Sequence, residues 1–293
     1  MYSIQLINIF GENSQVNIMI KKMSAFVADI DGTLVNKGKE MLPRTRQALE
    51  RLHEQGVLIG PASGRPLDHR TLDKNKEWGL SFDFDFAIGM NGGDLWDKFH
   101  GEEIRHFHML DKDTVREILT FMAPLDINAI VYHNGYDHVC ALRMDDFMRD
   151  SRDRNKSIVE IGGIDLLSSQ DTGKIEVHYR PEKEEEIMAV VNAHPSTKWN
   201  TVQTYIGTVE FVDPRVNKGM GLHQFADSCN IPIDEIIGFG DMDNDLELIR
   251  EAGWGVCMKN GCEACKAAAD DITEYEVGED GVGRYLEDHW FNQ

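Results

Sequence analysis

Ala25-Phe26-Val27-Ala28-Asp29-Ile30-Asp31-Gly32-Thr33-Leu34-Val35 is the stretch on which the reading of this chain turns. A short apolar run bounded within a few residues by a Gly-Thr turn has the pattern of a buried strand. It delivers two carboxylates into the loop that follows, and in an open α/β sheet ligands sit at the carboxyl ends of the strands. Asp29 and Asp31 stand two apart, so an extended backbone aims both at the same small volume. Gly32 permits a sharp turn without Cβ interference, and Thr33 can hydrogen-bond local backbone to hold it. Asp-x-Asp-Gly also resembles part of a calcium loop, but that loop needs Gly at its sixth position, where Leu34 stands. A plain acidic turn stays open on this stretch alone.

The 293 residues exceed the usual length of one domain, which predicts two. With 41% hydrophobic and 9% aromatic residues the chain can build a real core. Acidic residues outnumber basic ones 51 to 30, for a net charge of −21, which argues against nucleic acid or an anionic membrane as partner. An anionic substrate would then depend on local cations. No apolar run approaches the ~20 residues of a membrane span, and the first residues lack the basic region and cleavage site of a signal peptide. Residues 1–22 read as an extension before the domain proper, with Met19 or Met23 as alternative starts to Met1. Five cysteines, an odd number with no secretory signal, suggest reduced thiols and a cytoplasmic protein. Cys262 and Cys265 have metal-like spacing but no second pair, and their neighbours read as ordinary helix. His106 and His108 would share one face of a strand, without a third ligand nearby.

In chain order, Pro43 to Gln55 has helical spacing and stops at Gly56. Val57–Ala62 is a second apolar run and empties into Ser63-Gly64-Arg65-Pro66; Phe84–Met90 is a third and ends at Asn91-Gly92-Gly93. Three strand–helix repeats predict a parallel sheet. From residue 94 to about 208 the pattern changes to strand-like runs such as 127–132 and 174–179, mixed with helical pieces at 111–123 and 182–193. Asn134-Gly135 marks a hairpin, and the charged 145–154 segment reads as a solvated helix. The parallel pattern resumes with Asn217-Lys218-Gly219 before a helix, a strand over 235–240, and the loop Asp241-Met242-Asp243-Asn244-Asp245. That loop is no calcium site, because Leu246 stands where the sixth-position Gly belongs. The expected fold is α/β: a doubly wound, Rossmann-like core over 23–93 and 209–293 and an inserted α+β domain over 94–208.

Four elements therefore carry chemistry in order: Asp29/Asp31, Ser63/Gly64, Lys218 and Asp241/Asn244/Asp245. In these motifs the chain resembles the haloacid dehalogenase superfamily of phosphohydrolases, from residue 23 onward. The long insert is similar to the large cap of its Cof-type branch, as are Val256–Gly261 and Glu279–Val282. The resemblance implies a phosphatase acting on small phosphorylated metabolites, sugar phosphates above all. Asp29 would be the nucleophile and Asp31 the acid and then the base. Mg²⁺ would sit on Asp29, the Asp31 carbonyl and Asp241. Lys218 would neutralise phosphate and nucleophile, while Ile30, Ser63, Gly64 and Asn244 would bind phosphate oxygens. Asp245 would orient Lys218 or the metal's waters. Arg65 and Asn91, at strand ends, would contact substrate or hold the cap, and loops near Asn134-Gly135-Tyr136 are candidates for specificity. A phosphomutase on the same core normally carries its cap between the first two motifs, where 36–61 leave no room. A non-catalytic phosphate-binding protein would be expected to have lost Asp29, Asp31, Lys218 or Asp241, and all four are present. Oligomeric state has no signal in the sequence.

Overall fold

The computed structural model describes residues 20–36, 40–101 and 103–292. Most of the extension expected over 1–22, with the alternative starts at Met1 and Met19, lies outside the described residues. In chain order the strands are β1 (Ala25–Ala28), β2 (Leu58–Pro61), β3 (Phe86–Gly89), β4 (Asp94–Asp97), β5 (Arg105–His106), β6 (Asn128–Asn134) and β7 (His138–Ala141). They continue as β8 (Ile158–Ile161), β9 (Lys174–His178), β10 (Asn200–Tyr205), β11 (Thr208–Val212), β12 (Ile236–Gly240), β13 (Trp254–Cys257) and β14 (Asp271–Ile272). The chain divides into two compact units. One takes the described residues up to Pro61, Asn75–Phe86 and those from Leu222 onward; the other takes Ala62–Lys74 and Ala87–Gly221.

The first unit is built on a five-stranded sheet of order β14-β13-β12-β1-β2, with every neighbouring pair parallel. β1 and β12 are buried along their whole length, as expected of central strands in a parallel sheet, which reads as a continuous apolar run. The helix Pro43–Glu54 begins with proline, whose fixed φ suits a first turn. Its Ala48, Leu49 and Leu52 pack with Phe26, Ala28, Ile59, Tyr285 and Leu286 in one core. In register, Ala28 stands beside Pro61 of β2 and Phe239 of β12. The sheet therefore ends on one edge, where the chain runs on into Asp29, Ala62-Ser63 and Gly240-Asp241.

The third strand departs from the expected parallel series. β3 heads a separate sheet of order β3-β4-β5, and a lone parallel bridge joins Ile88 to Ala62. Pro61 has no N–H to continue a ladder, and the Asp85 carboxylate takes the Ile59 N–H (2.7 Å) where a strand carbonyl would otherwise accept it. The paired imidazoles expected on one strand face also separate. β5 stops at His106, whose Nδ1 meets Asp94 at 2.7 Å, and His108 turns away with φ 53°.

The second unit holds a six-stranded sheet of order β10-β11-β9-β6-β7-β8, antiparallel except for β7–β8. Its strands alternate with period two. Ala129, Val131, Ile175, Val177, Val209 and Phe211 meet Val115, Ile118, Leu119 and Met122 of the helix Lys112–Met122. Ile130, Val139 and Ala141 face the other way and meet Met148 of the helix Asp146–Asn155. That helix is the charged segment read from the sequence, and the Asp145 side chain caps it by accepting the Met148 N–H at 2.9 Å.

Candidate active site

In the first unit, the loop after β1 is fixed by backbone. The Asp29 N–H donates to the Phe239 carbonyl (3.0 Å), Leu34 N–H to the Asp29 carbonyl (3.2 Å) and Gly32 N–H to the Val35 carbonyl (2.8 Å). Thr33 Oγ1 donates to Asp241 Oδ1 at 2.9 Å, so the hydroxyl ties the first acidic loop to the last rather than to its own backbone. Gly32 lies at φ +108°, and a Cβ there would run into the Asp241 carboxylate. Both conformation and space thus require glycine. Asn260, which the sequence reading passed over, donates from Nδ2 to the Gly32 carbonyl (2.9 Å) and accepts the Val277 N–H (2.9 Å).

The loop after β12 folds around Asp245. Its Oδ2 accepts the N–H of Asp241 (2.9 Å) and of Met242 (3.0 Å), which turns the loop back on the strand end. Asp29, Asp241 and Asp245 each place a carboxylate oxygen within 4.8 Å of the others, and all three are buried. Three carboxylates at that spacing repel strongly unless positive charge accompanies them. Their oxygen donors suit a hard divalent cation. Asp31 and Asn244 are partly buried in the same two loops, and Asp243, beside them, is exposed.

In the second unit the remaining motif residues gather. Ser63, 4% exposed, donates its N–H to the Ile88 carbonyl (2.8 Å), and its own carbonyl accepts the Asn91 N–H (3.0 Å). Arg65 N–H approaches Ser63 Oγ at 3.3 Å, and a Cβ on Gly64 would stand 3.0 Å from Asn91 Oδ1. Met90 and Asn91 adopt positive φ (48° and 54°) and carry the chain into Gly92. Gly92, at φ +107°, lies so close to the Asn217 carbonyl that no side chain would fit. Asn217 Oδ1 accepts the Met220 N–H at 2.8 Å and starts the helix that carries Lys218, which has no exposed surface. The structure thus brings Asp29, Asp241 and Asp245 together in one unit, and the backbones of Ser63-Gly64, Asn91 and Lys218 in the other.

A buried charged group on β9 and β11 escaped the sequence reading. Glu176 and Glu210 are cross-strand partners, an arrangement that destabilises a sheet unless neutralised. Lys174 Nζ lies 2.7 Å from Glu210 Oε1 and 3.4 Å from Glu176 Oε2, and also approaches the Gly64 carbonyl at 3.3 Å. Tyr132 Oη donates to Glu176 (2.8 Å), and His178 Nε2 meets the same carboxylate at 2.7 Å. Burial works against the charge on Glu176, but Lys174 and His178 prevail and hold it down to about 2. Burial dominates at Glu210 and raises it, despite Lys174. Lys174 is raised because the two carboxylates outweigh its own burial. The alternation Lys174-Ile175-Glu176-Val177-His178 marks a polar face in the sequence, yet nothing in it says that the face is covered. The hairpin at Asn134-Gly135 leans on the Ser63 segment: Asp68 Oδ2 accepts the Tyr136 N–H (3.1 Å), and Arg70 bridges Asp68 and Asp137 at 2.8 Å each.

The pair Cys262/Cys265 is helical as expected, with Cys262 capping the helix Glu263–Ala268. Among the described residues no helix is long and apolar enough to cross a membrane.

A family model for haloacid dehalogenase-like hydrolases matches residues 26–286. A Bacillus subtilis phosphatase of 5-amino-6-(5-phospho-D-ribitylamino)uracil is 26% identical over 277 residues, 89% of this chain and 96% of its own length. A haloacid dehalogenase-like hydrolase from Bacteroides thetaiotaomicron, known from its crystal structure, is 26% identical with a TM-score of 0.76, covering 91% of this chain and 99% of that one. The subclass IIB sugar phosphatase BT4131 shares the fold at 24% identity and a TM-score of 0.75, over 91% of this chain and 98% of its own. With its motifs in order on an α/β core, the chain belongs to the haloacid dehalogenase-like hydrolase family, and its fold is that of a subclass IIB member.

Proposed function

We propose that the protein is a Mg²⁺-dependent phosphomonoesterase of small phosphorylated metabolites, sugar and polyol phosphates foremost, working through an aspartyl phosphate. The observation that carries this reading is the buried Asp29/Asp241/Asp245 cluster at the carboxyl edge of the central strands. Phosphate monoesters hydrolyse extremely slowly in water, and a carboxylate nucleophile divides the task in two. Asp29 Oδ attacks phosphorus, forming the Asp29–phosphate bond as the bond to the leaving oxygen breaks. Asp31 gives that oxygen its proton. Asp31 then takes a proton from water, which attacks phosphorus and frees Asp29 and inorganic phosphate.

Asp29, Asp241 and the Asp31 carbonyl would hold Mg²⁺, which supplies positive charge for the phosphoryl oxygens and the crowded carboxylates. Lys218 adds a point charge. The Ile30 and Gly64 N–H groups, the Ser63 hydroxyl and Asn244 bind non-bridging oxygens, while Asp245 fixes the loop bearing Asp241. Core residues 23–93 and 209–293 would run the chemistry and 94–208 would set the substrate, with Arg65 and Asn91 at the substrate side.

The relative acting on a phosphorylated ribityl compound favours a hydroxylated substrate. Phosphate release from a panel of sugar, polyol and nucleotide phosphates, with Mg²⁺ or EDTA, tests the reading. Metal-dependent release from hydroxylated phosphates is expected; metal-independent release, or none from any phosphate ester, would overturn it.

A further inference from the structure

A second cluster of metal-ligating side chains lies on the six-stranded sheet, and the strand register explains it. His138 and Cys140 are two apart on β7 and share a face, and Glu160 is the partner of Cys140 on β8. On the other side of β7, Val131 pairs with Cys140 and Asn134 with His138, and the register shifts in between. His133 is the extra residue of that bulge, a device that re-aims a side chain, and its Nδ1 reaches Cys140 Sγ at 3.3 Å. His138 Nε2 and Glu160 Oε2 are also 3.3 Å apart. One donor atom each from His138, Cys140 and Glu160 lies within 4.8 Å of the other two. The His133 Nε2 is buried and has no hydrogen-bond partner among the described residues.

We propose that His138, Cys140 and Glu160, with His133 beside Cys140, form a binding site for one borderline-soft divalent ion, Zn²⁺ above all. Tetrahedral bonds of zinc to sulfur, imidazole and carboxylate place a sulfur–nitrogen pair about 3.6 Å apart and a nitrogen–oxygen pair about 3.3 Å apart. The two pairs seen here sit close to those separations before any ion enters. A thiol and imidazoles favour zinc, copper or nickel, whereas the Asp29 cluster offers only hard oxygens. Cys140 would bind as thiolate, its proton leaving to solvent. Its burial holds the thiol up at about 11, which keeps it protonated and unreactive without an ion. Glu160, about half exposed, stands at the entrance.

The site is separable from the phosphatase reading, because all four residues lie outside the motifs given roles there. Co²⁺ titrated into the full chain in saturating Mg²⁺ should give a saturable thiolate-to-cobalt absorption band at one equivalent, and Zn²⁺ should abolish the band by competition. Cys140→Ala should remove the band, His138→Ala and Glu160→Gln should weaken affinity at least tenfold, and Asp241→Asn should leave the band intact. Absence of the band in the wild type, or its survival in Cys140→Ala, would overturn the proposal. Should Cys140→Ala fail to fold, undiminished Co²⁺ affinity in both His138→Ala and Glu160→Gln would overturn it equally.

Discussion

The two units each bury a set of carboxylates, one on the face of a sheet and the other on the loops at a sheet's edge. On the six-stranded sheet, Glu176 and Glu210 face each other across two strands, and Lys174 lies between them with Tyr132 and His178 completing Glu176. At the edge of the five-stranded sheet, Asp29, Asp241 and Asp245 converge within 4.8 Å, and hydrogen bonds from Thr33 and from the Asp241 and Met242 N–H groups hold their loops in place. The first arrangement carries its cation as part of the sheet. The second gathers its carboxylates on loops at the strand ends, where the proposed function would place a metal and a phosphoryl group. Breaking a buried ion pair by removing one partner is costly to the fold, while a like-charge cluster on strand-end loops marks a candidate reactive site.

The largest expected effect separates the two directly. Asp29→Asn should lower phosphatase turnover at least about 10³-fold, because losing a nucleophile removes a whole step. Thermal unfolding should change far less than in Lys174→Met, because Asn keeps the shape of Asp and can still accept hydrogen bonds. Lys174→Met should do the reverse to the fold. Removing one partner of a buried ion pair costs about 3–5 kcal/mol, read as a clear drop in the denaturant midpoint. Lys174→Met combined with Glu210→Gln should recover part of it. Equal losses of stability in Asp29→Asn and Lys174→Met would break the distinction.

Gly32→Ala should produce an intermediate effect. The positive φ and the approach to Asp241 leave no room for the methyl group, so metal affinity should fall about tenfold or more when Mg²⁺ activation is titrated. Undisturbed Mg²⁺ activation would mean that Asp241 is not a ligand.

Acid titration gives the smallest and sharpest contrast. Glu176 is held down to about 2 against an ordinary 4.5, so its stabilising contribution is complete above about pH 4.5 and is lost as pH falls towards 2. Glu210 is raised, so its contribution is present below about pH 4.5 and is lost as pH rises through its folded value. Glu176→Gln should therefore flatten the acid limb of stability against pH, and Glu210→Gln should destabilise the protein less at neutral pH than Glu176→Gln does. Identical pH profiles for the two variants would show that Lys174 does not discriminate between them.

The sequence reveals these two regions unevenly. The carboxylates of the Asp29 cluster are legible because the first acidic loop sits directly after a short apolar strand and before a glycine, and because the second acidic loop also follows an apolar strand. The helices at 43–54, 112–122 and 146–155 were visible in their spacing and charge. Lys174, Glu176 and Glu210 were not, since polar alternation on a strand looks the same whether its face is wet or covered. Residues 174 and 210 become neighbours only through the pairing of β9 with β11. The separation of β3 from the parallel sheet was equally hidden, for it follows from one missing N–H at Pro61 and one carboxylate at Asp85 taking a backbone position. His133 and Glu160 come near Cys140 only through a bulge and a parallel pairing, and neither has a signature in the chain.

The most direct test of the account is a peptide map of the protein quenched in acid during turnover of a good substrate with Mg²⁺. A single phosphoryl group on the peptide bearing Asp29, absent in Asp29→Asn and absent in EDTA, is the predicted result. A phosphoryl group on any other residue, or rapid turnover with no labelled Asp29 even under single-turnover quenching, would contradict it.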